Sequence, residues 1–184
     1  MRSRFEIACV CAMLGVVLPL TWGATDVFAQ DEPTLGSSDY DQWERLGGGV
    51  LSPDGTWMAV SIGRVNDEGE LRIHRTESDS VVVVAFGTRA TFTKDGAWLA
   101  YSIGVSPDAR ESAQRARNPV RNTLGLMNLL TGEQEEIEDI QSFSFSDDGA
   151  YLAIRRYKPE DKESDGVDVI VRPMATGAQM SFGN

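Results

Sequence analysis

Hydrophobic and polar positions alternate in short bursts along this chain, and the bursts recur. Met58, Val60 and Ile62 point one way while Trp57, Ala59 and Ser61 point the other, and Leu99, Tyr101 and Ile103 repeat the pattern further on. A period of two is the signature of a strand. Neither face is strongly polar, which predicts strands covered on both sides. Each burst follows a tight turn inside a repeated phrase: Leu51-Ser-Pro-Asp-Gly-Thr-Trp-Met-Ala-Val60, Phe92-Thr-Lys-Asp-Gly-Ala-Trp-Leu-Ala-Tyr101 and Phe145-Ser-Asp-Asp-Gly-Ala-Tyr-Leu-Ala-Ile154, at residues 51–60, 92–101 and 145–154. Pro53 presets φ at the first corner, Asp54 can bond its own backbone, and Gly55 accepts positive φ. Lys94 and Asp147 replace the proline and leave the Asp-Gly core intact, so Asp54, Gly55, Asp95, Gly96, Asp148 and Gly149 read as turn formers.

The turn glycines lie 41 and 53 residues apart. That spacing suits a unit of four short strands, as in a propeller blade. The remaining strands fall between the phrases. Residues 70–75 and 81–86 form a hairpin in the first unit. In the second, residues 124–129 lead through Thr131-Gly132 to 133–140, and in the third, 167–172 lead through Thr176-Gly177 to 178–182. The longer second spacing is taken up by residues 104–122, a polar loop or short helix bearing Arg110, Arg115, Arg117 and Arg121. Ahead of the first phrase, residues 39–46 read as one or two helical turns ended by Gly47-Gly48-Gly49. The expected fold is all-β: a partial β-propeller of about three four-stranded antiparallel blades over residues 47–184, preceded by a leader and short helix at 30–46. A fourth phrase would fall near or beyond Asn184. The expectation is an interrupted ring, poorly soluble alone because its end faces carry Val, Ile, Trp and Met.

The first 29 residues have a different grammar. Arg2 and Arg4 start an apolar run over 7–24, and Val27-Phe28-Ala29 forms a small-residue cleavage site. This reads as a secretory signal peptide over 1–29, with periplasmic or extracellular export as its consequence. The alternative is an uncleaved membrane anchor, although Pro19 breaks the run. Both cysteines, Cys9 and Cys11, sit inside the leader, so the processed chain has neither disulfide nor thiolate metal site. Removing Arg2, Arg4, Glu6 and Asp26 from 17 basic and 28 acidic residues leaves 15 and 26, a net charge still of −11. That balance argues against nucleic acid, and membrane contact is expected only through an uncleaved signal.

The search for chemistry returns little. No Gly-x-Ser-x-Gly elbow occurs, nor a His-Glu-x-x-His, Walker loop or Cys-x-x-Cys in the processed chain. His74, the single histidine, sits in a strand with no nucleophile near it in sequence. Glu133, Glu135, Glu136, Glu138 and Asp139 could gather Ca²⁺ but lack a staggered loop, and read as a solvated edge strand. Asp161, Glu163, Asp165 and Asp168 read as a charged hairpin loop. The arginines of 104–122 could recognise a carboxylate, against the simpler reading of a solvated loop. Trp57, Trp98 and Tyr151 occupy equivalent places and read as inter-blade packing, with carbohydrate stacking as the rival. No catalytic residue, metal site or cofactor is expected.

Ser52-Pro-Asp-Gly-x-Trp-Met-Ala and its two copies resemble the repeat of TolB-like propellers and of the N-terminal propeller of prolyl oligopeptidase family serine peptidases. More specific are Trp43-Glu-Arg-Leu-Gly-Gly-Gly, Ser102-Ile-Gly-Val-Ser106, Leu124-Gly-Leu-Met-Asn-Leu-Leu-Thr-Gly132 and Arg155-Arg-Tyr-Lys-Pro159, which look like the exported bacterial peptidases of that family. The resemblance implies a propeller seated over an α/β-hydrolase domain that carries serine, aspartate and histidine. It transfers fold and an accessory, substrate-gating role, and no triad residue. The partner it implies is the missing C-terminal hydrolase domain or the remaining blades, with peptides as substrates. A TolB-like periplasmic interaction propeller is the alternative, and a ring completed by several copies a third.

Overall fold

The computed structural model describes Gly36 and residues 39–40, 43–158 and 166–183. The leader over 1–29 and the loop residues Asp161, Glu163 and Asp165 lie outside them. Eleven strands and one helix follow in order: β1 Glu44–Leu51, β2 Trp57–Arg64, β3 Glu70–Arg75, β4 Val81–Ala85, β5 Gly87–Phe92, β6 Trp98–Ile103, α1 Pro107–Ala116, β7 Asn122–Asn128, β8 Gln134–Phe145, β9 Tyr151–Arg156, β10 Val169–Pro173 and β11 Met180–Phe182. All pairings are antiparallel, in a four-stranded sheet β1-β2-β3-β4 and a seven-stranded sheet β11-β10-β9-β8-β7-β6-β5.

Seven strands make two blades because β8 serves twice. Its first half pairs with β7 up to Ile140, and its second half pairs with β9 from Ile140 to Phe145. The blades are therefore β1–β4, β5–β8 and β8–β11. A single left-handed residue marks each passage between blades: Phe86 (φ 57°) before β5 and Asp139 (φ 62°) inside β8. Each lies ten residues ahead of its turn glycine, Gly96 or Gly149. Side chains rarely adopt that conformation, so its recurrence at one repeat position is a built feature. The first strand of every blade also carries a register shift, between Leu46 and Gly49, Thr88 and Thr91, and Ile140 and Ser142.

Two apolar layers hold the blades together. Ala59, Leu71 and Ile73 of the first blade meet Leu99, Tyr101 and Met127 of the second. Ala100, Leu124 and Leu126 on the second blade's other face meet Leu152, Ile154 and Ile170 of the third. The two-sided burial expected from β6 is thus complete, with Leu99, Ala100 and Tyr101 at most 1 % exposed. In β9 it is not: Leu152 and Ile154 are buried, while Tyr151, Ala153 and Arg155 are exposed. The same sequence pattern is satisfied there on one face only.

One expectation is corrected. Among the described residues of 39–46 there is no α-helix: a short 3₁₀ turn stands at residues 39–40, and β1 runs from Glu44. The blade therefore begins before residue 47. Gly47 does not stop a helix but lets β1 approach β2, since a Cβ there would lie 2.9 Å from the Ser61 carbonyl oxygen. Glu44 is held across the sheet by Arg64 (2.9 Å) and Arg72 (2.5 Å), partners that come from β2 and β3 and that no local sequence pattern announces. The insert at 104–122 contains α1, capped by Ser106, whose Oγ accepts from the Ala109 N–H (3.2 Å), and it buries no residue.

Candidate functional site

The three repeated turns are one hydrogen-bonded device built three times. In the first, Ser52 Oγ donates to Asp54 Oδ1 (2.5 Å) and accepts from the Trp57 N–H (2.9 Å), while the Thr56 N–H donates to Asp54 (3.2 Å). In the second, Thr93 Oγ1 donates to Asp95 (2.5 Å) and accepts from the Trp98 N–H (3.0 Å). In the third, Ser146 Oγ donates to Asp148 (2.6 Å) and accepts from the Tyr151 N–H (2.9 Å). Gly55, Gly96 and Gly149 hold φ of 74°, 69° and 72°. The hydroxyl three residues ahead of each glycine is the member that sequence reasoning passed over. Its signal was present, since Ser, Thr and Ser occupy that one position in the three phrases.

Successive turns lie against each other along one rim. The Cβ position of Gly96 is 3.6 Å from the Asp54 carboxylate, and that of Gly149 is 3.3 Å from Thr93. Asp95 and Asp148 also border a shared cleft of 280 Å³ with Trp98 and Met174. The aspartates are spent inside their turns. Ser52 and Thr56 hold the Asp54 carboxyl at about 2, and Thr93 and Ser146 hold Asp95 and Asp148 below the usual carboxylate range. Trp57 packs on the layer between the first two blades and Trp98 on the next. Tyr151, at the equivalent place, is 46 % exposed, because no described strand covers that face.

Depressed carboxyls make stability acid-sensitive. Arg72 and Arg64 lower Glu44, and Arg172 lowers Glu135, in the same direction as the three turn aspartates. The unfolded chain takes up protons first, at ordinary carboxylate values, so stability is full above those values and is lost as pH falls through the depressed folded ones. The urea midpoint should fall steadily from about pH 5 to about pH 2, with Asp54 titrating late. A midpoint unchanged across that range would contradict this account.

Other candidates are dispersed. His74 lies in β3 between Met58 of β2 and Val81 of β4, with no nucleophile opposite it. Glu133 directly precedes β8, and Glu135, Glu136, Glu138 and Asp139 run along the part of β8 that pairs on one side only, as the edge reading expected. One of them is recruited: Glu135 receives a two-pronged ion pair from buried Arg172 of β10, both contacts 2.7 Å. Among the described residues, no group of three His, Cys, Asp or Glu is placed to hold a metal ion. In the insert, Arg115 pairs with Glu111 (3.5 Å) and Arg121 with Asp139 (3.3 Å).

No protein-family model and no curated protein sequence matches the chain. Solved structures do match in shape. The β-propeller domain of the trilobed protease from Pyrococcus furiosus, which has an open velcro topology, superposes with a TM-score of 0.53 at 13% identity, over 77% of this chain and 43% of that one. Prolyl oligopeptidase B from Galerina marginata gives 0.51 at 16% identity, over 82% and 23%. An acylaminoacyl peptidase of Pyrococcus horikoshii gives 0.50 at 12% identity, over 79% and 26%. The chain thus spans less than half the length of each. At such identities the likeness shows the fold alone, and the fold is an open β-propeller of the kind found in these peptidases.

Proposed function

We propose that this chain is a non-catalytic propeller module of a prolyl oligopeptidase-like serine peptidase, gating or supporting an α/β-hydrolase domain that carries the nucleophile. The observation that carries the reading is the third blade face. The face bearing Trp57 and Ala59 is covered by the second blade, and that bearing Trp98 and Ala100 by the third. The equivalent Tyr151–Ala153 face is exposed among the described residues. A surface built for packing and left bare calls for a further sheet. Export to the periplasm or beyond belongs to the same reading and is supported by the leader pattern of 1–29.

Purified chain should give no turnover of peptide or ester substrates. Turnover that survives inhibitors of contaminating proteases would overturn the proposal. A TolB-like interaction propeller is the second reading, because the repeat phrase suits both. Coding sequence downstream of Asn184 separates them: more Asp-Gly phrases followed by a Gly-x-Ser-x-Gly hydrolase support the first, and blades without a hydrolase support the second.

A further inference from the structure

We infer that the cleft between the first two blades binds a short peptide through its terminal carboxylate. The cleft has a volume of 480 Å³ and is bordered by Arg45 of β1, Asp67 of the β2–β3 loop and Arg110 of α1. Its size suits a small ligand. Glycines bring its walls together: a Cβ at Gly87 would lie 2.6 Å from that of Leu71, and one at Gly69 would lie 2.9 Å from the Ile62 carbonyl oxygen, so the strands at those points meet closely.

The lining is net positive in a chain of net charge −11: Arg45, Arg64 and Arg110 face it with Asp67 and Glu70, and Arg64 is already paired with Glu70 and Glu44. Arg45 and Arg110 border the cleft from two different elements, and among the described residues neither takes part in an ion pair or a side-chain hydrogen bond. Guanidinium groups present paired donors that match a carboxylate. Asp67 adds an acceptor on the same lining, suited to a ligand N–H, and a peptide terminus offers both groups. This inference does not depend on the peptidase reading, since it needs no hydrolase domain.

Calorimetric titration of the whole chain with N-acetyl-dialanine, and with its C-terminal amide, tests it. The acid should bind at least ten times more tightly than the amide. Arg45→Ala and Arg110→Ala should each weaken the acid about tenfold, while Arg155→Ala on β9, outside the cleft, leaves it unchanged. Matching near-UV circular dichroism of the variants confirms that they are folded, and Arg45→Lys, which keeps charge without the fork, should lose less than Arg45→Ala. Malonate competing as strongly as the peptide acid would support carboxylate recognition with a free acid as its source; weaker competition supports the peptide. Equal binding of acid and amide, insensitivity to both alanine substitutions, or no binding of the acid at millimolar concentration would overturn the proposal.

Discussion

Replacing Gly125 with alanine should lower folding stability by about 3 kcal/mol, read as a fall in the urea midpoint with an unchanged slope. Gly125 of β7 stands directly across from Tyr101 of β6, and the tyrosine ring lies over it so closely that an added Cβ would overlap ring atoms. The ring cannot swing away. Tyr101 is 1 % exposed, packed in the layer between the first two blades, and its hydroxyl donates weakly to Gln134 Oε1 (3.4 Å). Burial pushes that phenol above its ordinary pKa, which agrees with a ring taken out of water. Tyr101→Ala alone should cost about 4 kcal/mol through the cavity it leaves. The double variant should lose clearly less than the two single losses combined, because removing the ring makes room for the new methyl. Strict additivity would show that the close approach is not what glycine is needed for.

The second large effect concerns the ion pair between blades. Arg172 has a side chain 9 % exposed, whereas that of Glu135 is 46 % exposed, so the two partners stand to lose different amounts. Glu135→Ala strands a buried guanidinium whose Nε already has no hydrogen-bond partner, and should cost about 2–3 kcal/mol. Arg172→Met leaves a carboxylate that water can reach and fills the space with an apolar chain, so the loss should stay under about 1 kcal/mol. Urea unfolding of both variants decides the matter: equal losses, or a larger loss from Arg172→Met, would remove the asymmetry. The difference should also shrink below the depressed pKa of Glu135, where the protonated carboxyl no longer balances the charge.

Much of this fold was legible because the repeat wrote it three times. The strand at 70–75 and the Thr-Gly turns at Gly132 and Gly177, whose φ values are 78° and 67°, stand where the sequence pattern puts them. What the sequence hid was long-range. Nothing in the letters around Gly47 says that β2 will come near enough to need a missing side chain, so three glycines read as a helix stop. The pairing of Arg172 with Glu135 spans 37 residues and crosses from β10 to β8, beyond any periodic signal. The candidate site shows the same division. The turn aspartates could be named from their phrase, but the cleft beside Arg45 and Arg110 exists only because two blades and an insert converge.

The left-handed residues Phe86 and Asp139 give the chain a seam structure. Cut at those two kinks, residues 87–139 hold the second blade, with Phe86 immediately ahead of the segment and Asp139 closing it. Of its 53 residues, 12 exceed the 41 that separate the first two turn glycines, so the insert bearing α1 lengthens the segment without moving either kink from its place ten residues ahead of a turn glycine.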